Sequence, residues 1–239
     1  RRVVARFRED PGSRCLVGLG DYIDRAPDDC EEGSVANALY LLQVAARFSG
    51  RVWLIQGNHE TFREIPLLPH DLPEEVDLLW GPEEERYHRI LHLLERGPLA
   101  AISPSGAYLA HGGFPRSPGS GALAGEFLSL DPERLLEIVW GECAAAPTHR
   151  ADVRPFDEFE LARFLSRSRT RVFLRGHDPG LAGRTVYGKR CLTLHTSRLY
   201  ERFGGVLLAR LPLDRPVENA DDIVVERLPP DPPPGDPTR

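Results

Sequence analysis

Short apolar runs punctuate this chain, and each stops at a glycine beside a polar side chain. Leu16-Val17-Gly18-Leu19 runs into Gly20-Asp21, and Val52-Trp53-Leu54-Ile55 into Gly57-Asn58-His59-Glu60. Leu109-Ala110 runs into His111-Gly112-Gly113, and Val172-Phe173-Leu174 into Arg175-Gly176-His177. Runs of this length bounded by turn residues read as buried strands. Between them the spacing predicts helices over 1–9, 32–48, 83–95, 132–140 and 156–166. In the second, Leu39, Leu42 and Ala46 fall on one face. Asp131 and Pro132 open the fourth as cap and first helical residue. Ser103-Pro104-Ser105-Gly106 joins two strands as a hairpin, and further strands are expected at 171–174, 184–187, 191–195, 205–211 and 222–227. The stretch 61–80 mixes short helices and loops, and 112–125 is loop.

Alternating strands and helices followed by a strand-rich end predict an α/β fold, a layered β-sandwich of mixed sheets flanked by helices. A chain of 239 residues can bury one sizeable core, so residues 1–227 read as one domain. Residues 228–239 form a Pro-rich tail that cannot join a ladder.

Composition narrows the class. The chain is 41% hydrophobic and 28% charged, with a net charge of −6, which is globular and argues against a nucleic-acid binder. No apolar stretch is long enough to span a bilayer, so no membrane partner is expected. The four cysteines, Cys15, Cys30, Cys143 and Cys191, have no C-x-x-C pairing; reduced thiols and a cytoplasmic setting follow. Cys15 and Cys191 sit in apolar runs as small hydrophobes.

The residues at the strand ends define the chemistry. Asp21 offers a carboxylate, Asn58 a carbonyl oxygen, His111 and His177 imidazoles. Mixed oxygen and nitrogen ligands suit a borderline divalent ion rather than calcium. Each residue alone reads more readily as a turn, cap or ordinary loop residue; four together, each after an apolar run, point to a metal site. His70, His88, His92 and His149 read as surface or helix-face residues, His195 as a packed core histidine, and Glu60 as a cap or ion-pair partner beside the site.

Gly20-Asp21-Tyr22-Ile23-Asp24-Arg25, Gly57-Asn58-His59-Glu60, His111-Gly112-Gly113 and Arg175-Gly176-His177 resemble, in order, the signature blocks of the calcineurin-like metallophosphoesterases, and more narrowly of the phosphoprotein phosphatases that act on serine and threonine. The resemblance runs from about Ser13 to Leu211. It implies a hydrolase of phosphoric monoesters that uses two divalent metal ions, manganese above all, with iron, zinc or nickel as alternatives. The attack would be direct, by a hydroxide held by both ions, on a phosphoprotein or phosphopeptide substrate. Asp21 would bridge the ions, and Asn58, His111 and His177 would complete the set of ligands on the second ion. His59 would be the general acid, oriented by Asp24. Arg25 would grip the phosphate, joined by Arg150, which reads equally as a solvated loop arginine. Tyr200 would line the site, or stand as an ordinary half-buried tyrosine at a strand end.

The chain departs from that family in several places. Its first block, G-D-x-H-G, is absent here; the helix at Arg1 is what normally follows it, so truncation is the expected reason. Ala26 stands where a glycine is usual, and Trp140-Gly141-Glu142-Cys143 where Trp-Ser-Asp-Pro is usual. A dinucleoside polyphosphate hydrolase of the same superfamily and an inactive phosphatase fold used as a binding module are the alternative readings. The sequence gives no oligomeric state.

Overall fold

A computed structural model describes residues 2–27, 33–82, 84–116, 131–148, 152–197, 199 and 206–229. Arg150, Tyr200, Cys30, His149, most of the 112–125 loop and all but the start of the Pro-rich tail lie outside the described residues. The elements are α1 (Arg2–Arg8), β1 (Leu16–Gly18), α2 (Gly33–Arg47), β2 (Val52–Leu54), α3 (Leu72–Trp80), α4 (Glu84–Glu95), β3 (Ala100–Ile102) and β4 (Ala107–Ala110). They continue with α5 (Pro132–Val139), α6 (Glu158–Ser168), β5 (Val172–Arg175), β6 (Thr185–Val186), β7 (Cys191–Thr193), β8 (Val206–Arg210) and β9 (Val224–Leu228).

Among the described residues the strands form three sheets. β1 and β2 pair in parallel, Val17 opposite Trp53. A five-stranded sheet runs β3-β4-β5-β7-β6, its centre parallel, with Tyr108 opposite Phe173 and Leu174 opposite Leu192. The expected hairpin pairs Ala101 with Leu109. β8 and β9 form an antiparallel pair, Leu208 opposite Glu226, and the Leu207 N–H reaches the His195 carbonyl at 2.9 Å.

Side-chain alternation sorts these sheets into layers. Every residue of β4 and β5 is buried, because both faces are covered. Ala107, Leu109, Val172 and Leu174 face one way and pack with Ile55, Val17, Leu19 and Ala209. This is the apolar seam between the sheets. Tyr108, Ala110 and Phe173 face the other way, against Leu135 and Ile138 of α5 and Leu161, Phe164 and Leu165 of α6. Here Phe114 stacks on Phe164 at 4.6 Å while Tyr108 meets the same ring edge-on. The outer face of β1 and β2, through Leu16, Val52 and Leu54, packs with Val4 and Phe7 of α1, Val35 and Ala38 of α2, Val76 of α3 and Leu91 of α4. The order is therefore helix, sheet, sheet, helix.

Local chemistry fixes the helix starts. The Asp131 side chain accepts the Arg134 N–H, with Pro132 following. Asp157 and Glu160 form a reciprocal capping box at α6. Arg175 is buried on β5, with Nε donating to the Gly112 carbonyl and an Nη to that of Gly141, both at 2.8 Å. Its guanidinium lies over the Phe156 ring at 5.6 Å.

Two sequence expectations are corrected. Ala46 is exposed; the inward stripe of α2 is Val35, Ala38 and Val44, because α3 and α4 lie on that side. Cys15 is exposed, since β1 begins one residue later. Among the described residues, no helix is long and apolar enough to cross a membrane.

Candidate metal centre

Because β1 runs parallel to β2 and β4 to β5, the loops leaving each pair open at the same end. There the seam between the sheets brings the four candidate ligands together. Asn58 Oδ1 lies 3.0 Å from His111 Nε2 and 3.1 Å from His177 Nδ1. The two imidazole nitrogens are 3.2 Å apart, and Asp21 Oδ2 is 3.3 Å from His111 Nε2.

Which of these atoms carry protons decides what the cluster is. His111 Nδ1 lies 2.6 Å from the Leu19 carbonyl. A carbonyl can only accept, so Nδ1 carries the proton and Nε2 of the neutral ring presents its lone pair. That lone pair faces a carboxylate oxygen and an amide oxygen. Such crowding of electron pairs is repulsive unless a cation or proton sits among them. Ligand atoms at about 2.0–2.2 Å from one ion are about 3.0–3.5 Å from each other, which matches the separations here. The donor set therefore fits a divalent ion. Asp21, His111 and His177 also group as potential ligands.

The backbone at this site is forced into unusual shapes. Asp21, Asp24, Arg25 and His177 all have positive φ, 57°, 63°, 52° and 69°, a region that non-glycine residues seldom enter. Glu60 is the brace. Fully buried, it accepts the N–H groups of Asp21 at 2.8 Å, Tyr22 at 2.7 Å and Gly57 at 2.7 Å. This locks the β1 loop to the β2 loop. The loops touch so closely that a Cβ on Gly57 would lie 2.3 Å from Asp21 Oδ1, and one on Gly20 2.6 Å from the Gly57 backbone.

Electrostatics agree with the geometry. Burial works to raise the Asp21 carboxyl, and the imidazoles of His111, His59 and His177, to the extent that they carry a second proton, bring it down. Burial, then the neighbouring Asp21 charge, raise Glu60 despite its three N–H donors. Asp21 itself is 31% exposed along its side chain, so the cluster opens to solvent on one side.

Beside this group stands a second one. His59 Nδ1 is 2.6 Å from Asp24 Oδ2, with the two side chains 3% and 0% exposed. Burial tends to lower the His59 imidazole; the charges of Asp21 and Asp24 overcome that and raise it. Burial likewise tends to raise Asp24, but the hydrogen bonds from His59 and His70 bring it down. Arg25 is exposed at the rim, its N–H donating to Asp71 Oδ2 at 2.9 Å.

The structure thus gathers Asp21, Asn58, His111 and His177 in one cluster and His59 with Asp24 in another. It leaves Arg25 outside both. Three participants escaped sequence reasoning. His70, expected on the surface, is 5% exposed along its side chain and bonds Asp24 Oδ2 at 2.9 Å. Tyr87 follows it, with its hydroxyl 2.9 Å from His70 Nε2. Trp140 meets the His177 ring edge-on at 5.3 Å. The one signal for His70 was its place in Pro69-His70-Asp71-Leu72, directly before a helix opened by Pro73. His195 behaves as the packed histidine expected: burial lowers it to about 4, while the Asp21 charge pulls the other way.

Fold and site together define an α/β class with a candidate metal centre at its strand ends. The sequence model described as calcineurin-like phosphoesterase matches residues 1–181, and the chain belongs to that family. A probable serine/threonine-protein phosphatase of Encephalitozoon cuniculi is 27% identical over 228 residues, 88% of this chain and 47% of the relative. Serine/threonine-protein phosphatase 7 of Arabidopsis thaliana is 35% identical over 107 residues, 44% of this chain and 24% of its own length. The chain thus spans about half the first relative and about a quarter of the second. Among solved structures, a protein serine/threonine phosphatase from Saccharomyces cerevisiae superposes with a TM-score of 0.70 at 20% identity, covering 97% of this chain and 77% of the other. A cold-active protein tyrosine phosphatase gives 0.53 at 17% identity, over 81% and 61%. At these identities the two structures speak for the fold alone.

Proposed function

We propose that the chain is a metal-dependent phosphomonoesterase acting on phosphoserine or phosphothreonine in proteins. The observation that carries this reading is the adjacency of two groups that meet on the loops leaving β1 and β2. One is a knot of lone pairs fitted to cations, and the other is a buried histidine held by a carboxylate. Asp21, Asn58, His111 and His177 would hold metal. Bound divalent ions supply charge to phosphoryl oxygens and acidify water, the two things phosphate ester hydrolysis most needs.

The remaining work falls to the chain's own side chains. Asp24 holds His59 through Nδ1, which leaves Nε2 as the end able to give up a proton. As the phosphorus–oxygen bond to the leaving group breaks, that oxygen takes the His59 proton. Water supplies the incoming oxygen, and the products are an alcohol and inorganic phosphate. A serine alkoxide is a poor leaving group, so a placed acid is worth about 10²–10⁴-fold in rate. Arg25, on the rim beside Asp24, would fork onto two phosphate oxygens.

Manganese is the first ion to try, since the ligand set mixes nitrogen and oxygen. The whole chain with Mn²⁺ should release phosphate from phosphoserine and phosphothreonine peptides faster than from phosphotyrosine peptides or dinucleoside polyphosphates. Preference for phosphotyrosine, or for the dinucleotide, would overturn the substrate assignment. Metal binding without turnover of any of them would favour an inactive binding module.

A further inference from the structure

Asp24 is asked to hold more than one histidine. Its Oδ1 accepts the backbone N–H groups of Asp71 at 2.8 Å and Leu72 at 3.0 Å, while Oδ2 takes both His59 Nδ1 at 2.6 Å and His70 Nδ1 at 2.9 Å. Two backbone donors place Oδ1, and two imidazole N–H groups share Oδ2 from different sides, so without His70 the side-chain hold on Oδ2 is left to His59 alone. His70 is itself held on two sides: its Nε2 is 2.9 Å from the Tyr87 hydroxyl, and its ring stacks on Phe62 at 3.9 Å and 13°. A neutral ring with its hydrogen on Nδ1 satisfies both neighbours, donating to Asp24 and accepting from Tyr87.

We propose that His70, held by Tyr87 and the Phe62 ring, is a positioning residue that fixes the plane of the Asp24 carboxylate and through it the aim of the His59 imidazole. The inference rests on the phosphatase reading above, with His59 as the acid. Small displacements of a catalytic group are costly when the neighbouring shell is loose. His70 does not contact the metal ligands in this chain, and it acts only through Asp24.

The experiment compares the whole chain with its His70→Leu, His70→Asn and Tyr87→Phe variants on a phosphoserine peptide and on p-nitrophenyl phosphate. The peptide's leaving oxygen needs a proton; p-nitrophenolate leaves with little help. His70→Leu should lower kcat on the peptide about tenfold, a fraction of what a general acid supplies, and lower it by a smaller factor on the aryl ester, with KM little changed. His70→Asn should recover most of the loss, because its amide N–H falls near the ring Nδ1–H. Tyr87→Phe should show the same substrate split at about twofold to threefold, within the range of one weakened hydrogen bond. Equal losses on both substrates, or an asparagine variant as poor as the leucine one, would overturn the proposal.

A readout independent of turnover comes from the ring protons in NMR. The His59 Nδ1–H signal should move and exchange faster in His70→Leu and Tyr87→Phe; an unchanged signal would contradict the proposal. His59→Asn and Asp24→Asn serve as controls. If these two show no substrate split, the acid reading of His59 fails; if they do and the His70 series does not, the present inference fails alone.

Discussion

Two clusters share the loops that leave β1 and β2, and they are built on opposite principles. Around Asp24 every donor meets an acceptor: two imidazole N–H groups and two backbone N–H groups converge on one buried carboxylate. Around Asn58 the acceptors meet one another, with an amide oxygen, a carboxylate oxygen and two imidazole nitrogens within 3.0–3.3 Å. The first is complete within the protein. The second is complete only with a positive charge from outside. The contrast teaches how one short span, Asp21 to Asp24, serves two environments: position relative to a partner, not residue type, decides whether an aspartate faces other lone pairs, as Asp21 does, or holds a histidine, as Asp24 does.

The largest effect should come from breaking the incomplete cluster. Asp21→Asn or His111→Ala should bring turnover to background, because even residues that only orient a metal ligand are worth about 10–100-fold. For Asp21→Asn the melting temperature of the metal-free protein should change little or rise, since crowded lone pairs are relieved. A marked loss of apo stability would mean that the cluster is a structural network. Breaking the complete cluster at His59 should act differently. His59→Asn should lower kcat on phosphoserine peptides by about 10²–10⁴-fold with KM nearly unchanged; a pure KM effect would remove its acid role.

The brace between the clusters offers a smaller effect. Glu60→Gln puts an amide donor against the N–H groups of Asp21, Tyr22 and Gly57. It should cost about 1–3 kcal/mol in urea unfolding and loosen both groups at once. An unchanged midpoint would show that the loops hold each other without it.

The smallest expected signal is the pH dependence of stability in the metal-free protein. Asp24 is held below its ordinary 3.8, so its contribution is present above that value and is lost as pH falls through the lower folded-state value. His59 is raised above its ordinary 6.5, so its contribution is full below 6.5 and is lost as pH rises through the raised value. Stability from the pair should therefore peak between 3.8 and 6.5, and Asp24→Asn should flatten that peak. An identical profile in the variant would place the pH dependence elsewhere.

The strand ends carried most of what the sequence could tell. Apolar runs ending at Asp21, Asn58, His111 and His177 marked both the sheets and the four side chains that gather at their ends, since a parallel strand must leave its pocket side at its C-terminal end. Helix starts at Asp131 and Asp157 were legible through capping chemistry. The second histidine on Asp24 was not, because His70 and Asp24 are 46 residues apart and no periodicity links them. The inward stripe of α2 was misread at Ala46 for a related reason: which side of an amphipathic helix is covered depends on α3 and α4, whose packing no local pattern announces. The burial of His70 depends in the same way on Phe62 and Tyr87 arriving from separate elements.

The convergence of Asp21, Asn58, His111 and His177 on a cation is tested most directly by anomalous diffraction from crystals of the whole chain soaked in Mn²⁺. The account predicts an anomalous peak among those four side chains, at coordination distance from Asn58 Oδ1, His111 Nε2 and His177 Nδ1, and no peak there in Asp21→Asn with His111→Ala. Manganese bound only elsewhere, or a peak that persists unchanged in the double variant, would contradict it.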